Sequence, residues 1–237
     1  MRFAPPRPWL RALFVALLTG LPACARLPAA DARGSPAEAV AARGFALLAA
    51  RGVPLGSAVA IAPDRLLTNA HVIPAGTSQV RFTRGDGGAA GEAVLLARSE
   101  RMDLAVLAVP PGLVTPVPPA PAPPHPGQPL WAVGAPAAGP AVATGQVAIP
   151  AASLAGHGPG FTARLGALMG YSGGPAVDAE GRLLGLVTAL PQPGAAPLLA
   201  ALSGLDLDGL VRGRAGREVF LLSATAAMAE AAQLAPR

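Results

Sequence analysis

The chain has 237 residues, 52% of them hydrophobic and 13% charged, with arginine as every basic side chain and a formal charge of +5. That length supports one large or two small cored domains, and so apolar a composition excludes disorder of the highly charged kind. A single cysteine excludes a disulfide scaffold and a four-thiolate zinc site, and the 29 glycines and 28 prolines follow no Gly-X-Y period.

The N-terminus reads as an address. Arg2, Arg7 and Arg11 precede an apolar run from Ala12 to Leu21. The run is too short to cross a bilayer, which takes about 20 residues. It suits the core of a signal peptide over residues 1–25, cleaved after Ala25. Leu21-Pro22-Ala23-Cys24 also resembles a bacterial lipobox, in which Cys24 would carry lipid; Pro22 is awkward there, and cleavage without lipid is preferred. Loss of residues 1–25 removes three of the 18 basic residues and none of the 13 acidic ones, leaving +2. The remaining arginines are scattered rather than gathered into a stripe, so no nucleic-acid partner is expected. The chain is expected to be exported, periplasmic or secreted, with a membrane tie only through lipid on Cys24.

Residues 26–39 read as a linker or short helix. Ser35-Pro36-Ala37-Glu38 has the spacing of a capping box with proline at the first helical position, and Gly44 is a plausible stop. Strands are expected at Phe45–Ala50, Ser57–Ala62, Arg65–Thr68, Gln79–Thr83 and Glu92–Arg98. Leu104–Val109 is a continuous apolar run, fit for a buried strand. Ten prolines fall between Val109 and Pro129. Proline has no amide hydrogen for a central strand, so residues 109–129 read as an extended surface connector. Its P-x-x-P spacing also matches an SH3-type ligand, but a linker fits an exported chain better. Strands resume at Leu130–Val133, Ala141–Pro150, Phe161–Leu165, Ala176–Asp178, Leu183–Leu190 and Arg217–Ser223. Ser223 then caps an alanine-rich helix to about Leu234. The class is all-β: residues 40–108 form one small barrel or sandwich, and 130–237 a second with the C-terminal helix.

Few residues can do chemistry. His125, in Pro-Pro-His-Pro, and His157, in Gly-His-Gly-Pro-Gly, read as solvated loop residues. His71 closes the apolar strand Leu66-Leu67-Thr68-Asn69-Ala70-His71, which places a base on a rigid frame; alone, it would more often be a structural histidine. Ser172 lies in Gly170-Tyr171-Ser172-Gly173-Gly174-Pro175, where small residues allow a tight turn whose amides can face an oxyanion. The bland alternative is a glycine-rich hairpin. Chain order discriminates, because α/β-hydrolases carry their histidine after the Gly-x-Ser-x-Gly serine and none follows Ser172 here. Histidine, acid, serine is the chymotrypsin order.

Gly56-Ser57-Ala58-Val59-Ala60-Ile61 with Leu67-Thr68-Asn69-Ala70-His71-Val72 resembles the histidine signature of trypsin-like serine proteases, most similar in wording to the bacterial HtrA (Deg) branch. Asp103-Leu104-Ala105-Val106-Leu107 is similar to that branch's aspartate signature. Gly170–Pro175 followed by Gly181–Ala189 resembles its serine signature. The three stand in order, 32 and 69 residues apart from His71 to Asp103 to Ser172.

The resemblance covers about residues 40–237. It implies two six-stranded antiparallel β-barrels of the chymotrypsin fold with a short C-terminal helix, and an endopeptidase acting on polypeptides without cofactor or metal. His71, Asp103 and Ser172 would be the triad, and the amides of Gly170 and Ser172 the oxyanion hole. Gly166 would lie at the base of the specificity pocket, with Thr188, Ala189 and Leu190 on its wall. No carboxylate lies near Gly166 in sequence and Leu190 would narrow the pocket, so small aliphatic residues are expected before the scissile bond. Tyr171 departs from the family's Asn or Asp, which removes activation by an N-terminus pairing with that Asp and puts the oxyanion turn in question. Only 14 residues follow Ser223, too few for the PDZ module of HtrA proteases, so no PDZ-mediated partner is expected. The competing reading is a weak or inactive protease-like scaffold of the cell envelope.

Overall fold

The computed structural model describes residues 32–136, 140–167, 169–188 and 217–236. The expected leader with Cys24, and the expected pocket residues Ala189 and Leu190, lie outside them. The first six strands are β1 (Phe45–Ala50), β2 (Val53–Ala62), β3 (Arg65–Asn69), β4 (Gln79–Arg84), β5 (Ala90–Ser99) and β6 (Leu104–Ala108). They close antiparallel in the order β1-β2-β3-β6-β5-β4. The second six are β7 (Pro129–Gly134), β8 (Ala141–Leu154), β9 (Gly158–Leu165), β10 (Pro175–Val177), β11 (Leu183–Thr188) and β12 (Arg217–Ser223). These close as β10-β11-β12-β9-β8-β7, and helix α1 (Ala224–Leu234) follows. Two closed six-stranded barrels and a C-terminal helix are the chymotrypsin fold.

The apolar runs follow from burial on both faces. Strand side chains alternate between faces, so a strand wet on one side would alternate apolar with polar. In β6, Ala105 and Leu107 fill the first barrel with Leu48, Leu66 and Phe82. Leu104 and Val106 point the other way, joining Val133, Val177, Leu183, Leu186 and Leu222 in a core between the barrels. Phe161, Leu165, Leu184 and Leu221 fill the second barrel. The seam between the barrels is therefore largely apolar, with a few buried polar side chains, Ser57, Thr68, Asn69 and Thr188 among them.

Local signals were modified by this packing. Glu38 reaches the Gly34 amide at 2.8 Å and Ser35 Oγ donates to Ala32 O at 2.6 Å, so the expected capping box does not form. The chain instead makes a π-helical turn over Val40–Gly44, with Ala37, Val40 and Ala41 buried in the inter-barrel core. Ser223 stands at the helix N-cap without a side-chain capping bond. The proline-rich stretch is more than a surface connector. Val114 and Val117 are buried, Val117 N–H donates to Ala60 O at 2.9 Å, and Leu183 N–H donates to Pro118 O at 2.8 Å.

Candidate active site

Strand register brings the first two groups together. Asn69 at the end of β3 pairs with Leu104 at the start of β6, so the turn after β3 faces the residue before β6. His71 sits on that turn, a 3-10 turn over Ala70–Val72. Its Nδ1 lies 2.7 Å from Asp103 Oδ2, and its backbone N–H donates to Asp103 Oδ1 at 2.9 Å. An ionised carboxylate only accepts, so the imidazole proton sits on Nδ1 and the lone pair on Nε2. The His71 side chain is 46% exposed and that of Asp103 11%.

Asp103 is held from every side. Its φ of +47° is in the left-handed region, which Asp and Asn tolerate better than other non-glycine residues. Its carbonyl accepts from Ala70 N–H at 2.9 Å and from Asn69 Nδ2 at 3.1 Å. Asn69 Nδ2 also donates to Thr188 Oγ1 at 3.1 Å. Thr188, expected on the pocket wall, is buried with its hydroxyl accepting from Asn69. The loop that delivers Asp103 is tied to α1, where buried Glu230 accepts from Ser99 Oγ at 2.6 Å and pairs with Arg101.

Ser172 belongs to the turn before β10. Ser57 N–H, from β2, donates to Ser172 O at 2.9 Å, and Gly173 N–H donates to Val187 O at 2.9 Å. The serine is therefore suspended between the two barrels. No hydrogen bond joins Ser172 Oγ to His71, a link that catalytic pairs often make only with substrate in place. Gly170 has a φ of +95°, and a side chain there would overlap Ala135 O. Among the described residues the amides of Gly170 and Ser172 have no acceptor, so both are available to an oxyanion. Among the described residues, its two chain neighbours aside, Gly166 has no atom within 4 Å of where its Cβ would stand.

Tyr171 leaves the turn and enters the second barrel's core, buried and packed on Gly134. Burial pushes its phenol up to about 12, from an ordinary value of about 10. A raised acid pKa means that folding favours the neutral form. Its contribution to stability is complete below about pH 10 and is lost as the pH rises through about 12. It is the chain's single tyrosine, so ultraviolet titration reports it alone. The native protein should form tyrosinate only near pH 12 and the denatured chain near about pH 10. A native midpoint at the denatured value would show the ring outside the core.

His157 is the neighbour that the sequence did not reveal. It stands at the β8–β9 hairpin tip rather than in free solvent, its Nε2 3.9 Å from Asp103 Oδ2 and its Nδ1 3.0 Å from Ala155 O. Its ring meets Phe220 edge-on, centroids 6.2 Å apart. Nothing in Gly-His-Gly-Pro-Gly says where the tip will dock. His125 is exposed, as expected.

The trypsin-like peptidase domain model matches residues 56–186, a span containing His71, Asp103 and Ser172. The serine protease Rv3671c of Mycobacterium tuberculosis (strain ATCC 25618 / H37Rv) is 34% identical over 145 residues, covering 56% of this chain and 35% of that protein. The chain thus spans about a third of the length of that curated relative. The crystal structure of Rv3671c protease in its active form superposes with a TM-score of 0.66 at 25% identity, covering 88% of this chain and 87% of that one. The inactive form gives 0.64 at 23%, covering 99% and 100%. The HtrA-type protease AlgW with a tripeptide gives 0.64 at 25%, covering 84% and 63%.

Proposed function

The chain belongs to the trypsin-like peptidase family, and from that premise we propose that it is an exported serine endopeptidase using His71, Asp103 and Ser172. The observation that carries the reading is the His71–Asp103 pair. One carboxylate oxygen lies 2.7 Å from Nδ1 and the other accepts the histidine's own amide. The ring is thereby fixed in one tautomer with Nε2 at its exposed edge.

Each step follows from a named atom. A hydroxyl is a weak nucleophile until a base removes its proton. Nε2 of His71 takes the proton of Ser172 Oγ as that oxygen bonds to the scissile carbonyl carbon. Asp103 stabilises the resulting imidazolium without itself taking the proton. The carbonyl oxygen, now an anion, is met by the Gly170 and Ser172 amides, where one donor is worth about 10²–10³ in turnover. Nε2 returns its proton to the leaving amine as the C–N bond breaks, giving an acyl-enzyme. Water, deprotonated by the same histidine, then releases the acid and restores Ser172. Burial of Tyr171 within the barrel keeps its bulk away from this turn, which supports an active site over an inert scaffold.

A fluorophosphonate label tests the reading, with Ser172→Ala as control. The wild-type chain should be labelled and the variant should not; equal labelling overturns the protease assignment. The same labelled species reports the finer expectations. Recovered from the cell envelope, it should begin at Arg26. Peptide aldehydes ending in Ala or Val should compete better than one ending in Arg.

A further inference from the structure

Ser57 is a buried polar residue with no part in the mechanism above. It lies on β2 of the first barrel with no exposed surface, and all three of its polar groups are committed. Its carbonyl accepts from Thr68 Oγ1 at 2.7 Å. Its amide donates to Ser172 O at 2.9 Å. Its hydroxyl donates to Gly170 O at 2.6 Å. The last two bonds cross from the first barrel to the nucleophile's turn.

Resting on the protease reading, we propose that the Ser57 hydroxyl is a positioning group that holds the oxyanion hole in its working conformation. Three successive peptide planes form the turn. The first carries the Gly170 N–H, the second the Gly170 carbonyl, and the third the Tyr171 carbonyl with the Ser172 N–H. The third plane is fixed within the turn, since Gly174 N–H donates to Tyr171 O at 2.8 Å. The second plane is held from outside, by Ala135 N–H of the second barrel at 3.1 Å and by Ser57 Oγ of the first. Rotation about φ of residue 170 swings the first plane against the second. Glycine accepts either sign of φ, so residue 170 does not by itself keep its N–H in the site. Fixing the carbonyl on both sides anchors the second plane and with it the Cα of residue 170, from which the N–H projects. Any rearrangement of the turn that moves this pivot therefore costs hydrogen bonds at a part-buried site. The Ser57 hydroxyl thus acts on the developing charge through Gly170; Ser57 meets the triad only backbone to backbone, its amide on Ser172 O.

The test compares wild type with Ser57→Ala and with Ser57→Cys, which is close in shape but a weak donor. Four quantities are read: kcat, KM for a peptide substrate, the active fraction titrated by fluorophosphonate, and the thermal midpoint. With the fold and the titrated fraction kept, kcat should fall about tenfold or more while KM stays within about threefold, because the loss is realised on the transition-state oxyanion. Affinity for a peptide aldehyde, which builds the same oxyanion, should fall in step with kcat. Unchanged kcat in both variants overturns the role of Ser57. So does a loss accounted for by a smaller titrated fraction or by KM, since that is what a merely structural residue would give. If Ser57→Ala does not fold, Ser57→Cys decides on the same criteria. A wild-type chain inert to fluorophosphonate overturns the protease reading itself, and the Ser57 role with it.

Discussion

Asp103→Asn should lower kcat by about 10⁴-fold while leaving KM and the thermal midpoint close to wild type. Asparagine tolerates the φ of +47° at this position, so the backbone need not move. Its amide oxygen can still accept the His71 N–H that Oδ1 takes at 2.9 Å. The change falls on the other oxygen, 2.7 Å from Nδ1. An NH₂ group there is a donor, and only a bare Nδ1 can meet it. The ring proton then moves to Nε2, the atom that receives the proton of Ser172 in the proposed mechanism. The site keeps its shape and loses its base. Asp103→Val would confound the result, because a β-branched residue at positive φ adds backbone strain. A kcat for Asp103→Asn within tenfold of wild type would show that Asp103 does not set the tautomer.

The sequence was most legible where one local rule acted alone. β1 and β12 begin and end where alternation and turn residues place them, Phe45–Ala50 and Arg217–Ser223. The order of His71, Asp103 and Ser172 pointed to the candidate site because a triad is a geometric object that each fold reaches in its own chain order, and the structure does bring His71 and Asp103 together. Legibility failed where tertiary contact overrode a local signal. Pro150 reads as the end of β8, yet the strand runs on to Leu154. The proline falls in a register shift between Ile149 and Ala152, where a missing amide hydrogen costs the ladder little. The β2 start shows the same effect: Pro54 pairs with Ala49 beside a register shift in β1. His157 and Ser57 were opaque for another reason. Each gains its meaning from a partner on the opposite barrel, 54 residues from Asp103 in one case and 113 from Gly170 in the other, and no local pattern encodes such a contact.

Gly173→Ala should both destabilise the protein and abolish fluorophosphonate labelling, and the two losses share one cause. Gly173 has a φ of +81°, which costs an L-residue about 1 kcal/mol or more. Its Cβ would also overlap Thr68 Oγ1 and Ser57 O and stand 3.0 Å from Asn69 N. Ser57 O is backbone, and Thr68 Oγ1 is fixed on it at 2.7 Å, so neither yields as a free side chain would. On the other side Gly173 N–H is bound to Val187 O at 2.9 Å. The methyl group therefore has to push the barrels apart at the point where Ser57 holds the nucleophile's turn. Overpacking and strain together should remove about 3 kcal/mol or more. Gly166→Ala is the matched control for stability: among the described residues, its two chain neighbours aside, nothing lies within 4 Å of the new methyl group, and its unfolding free energy should stay within about 0.5 kcal/mol of wild type. Denaturant unfolding of both variants checks the contrast. If Gly173→Ala is as stable as Gly166→Ala, the seam is not the close-packed joint that positions Ser172.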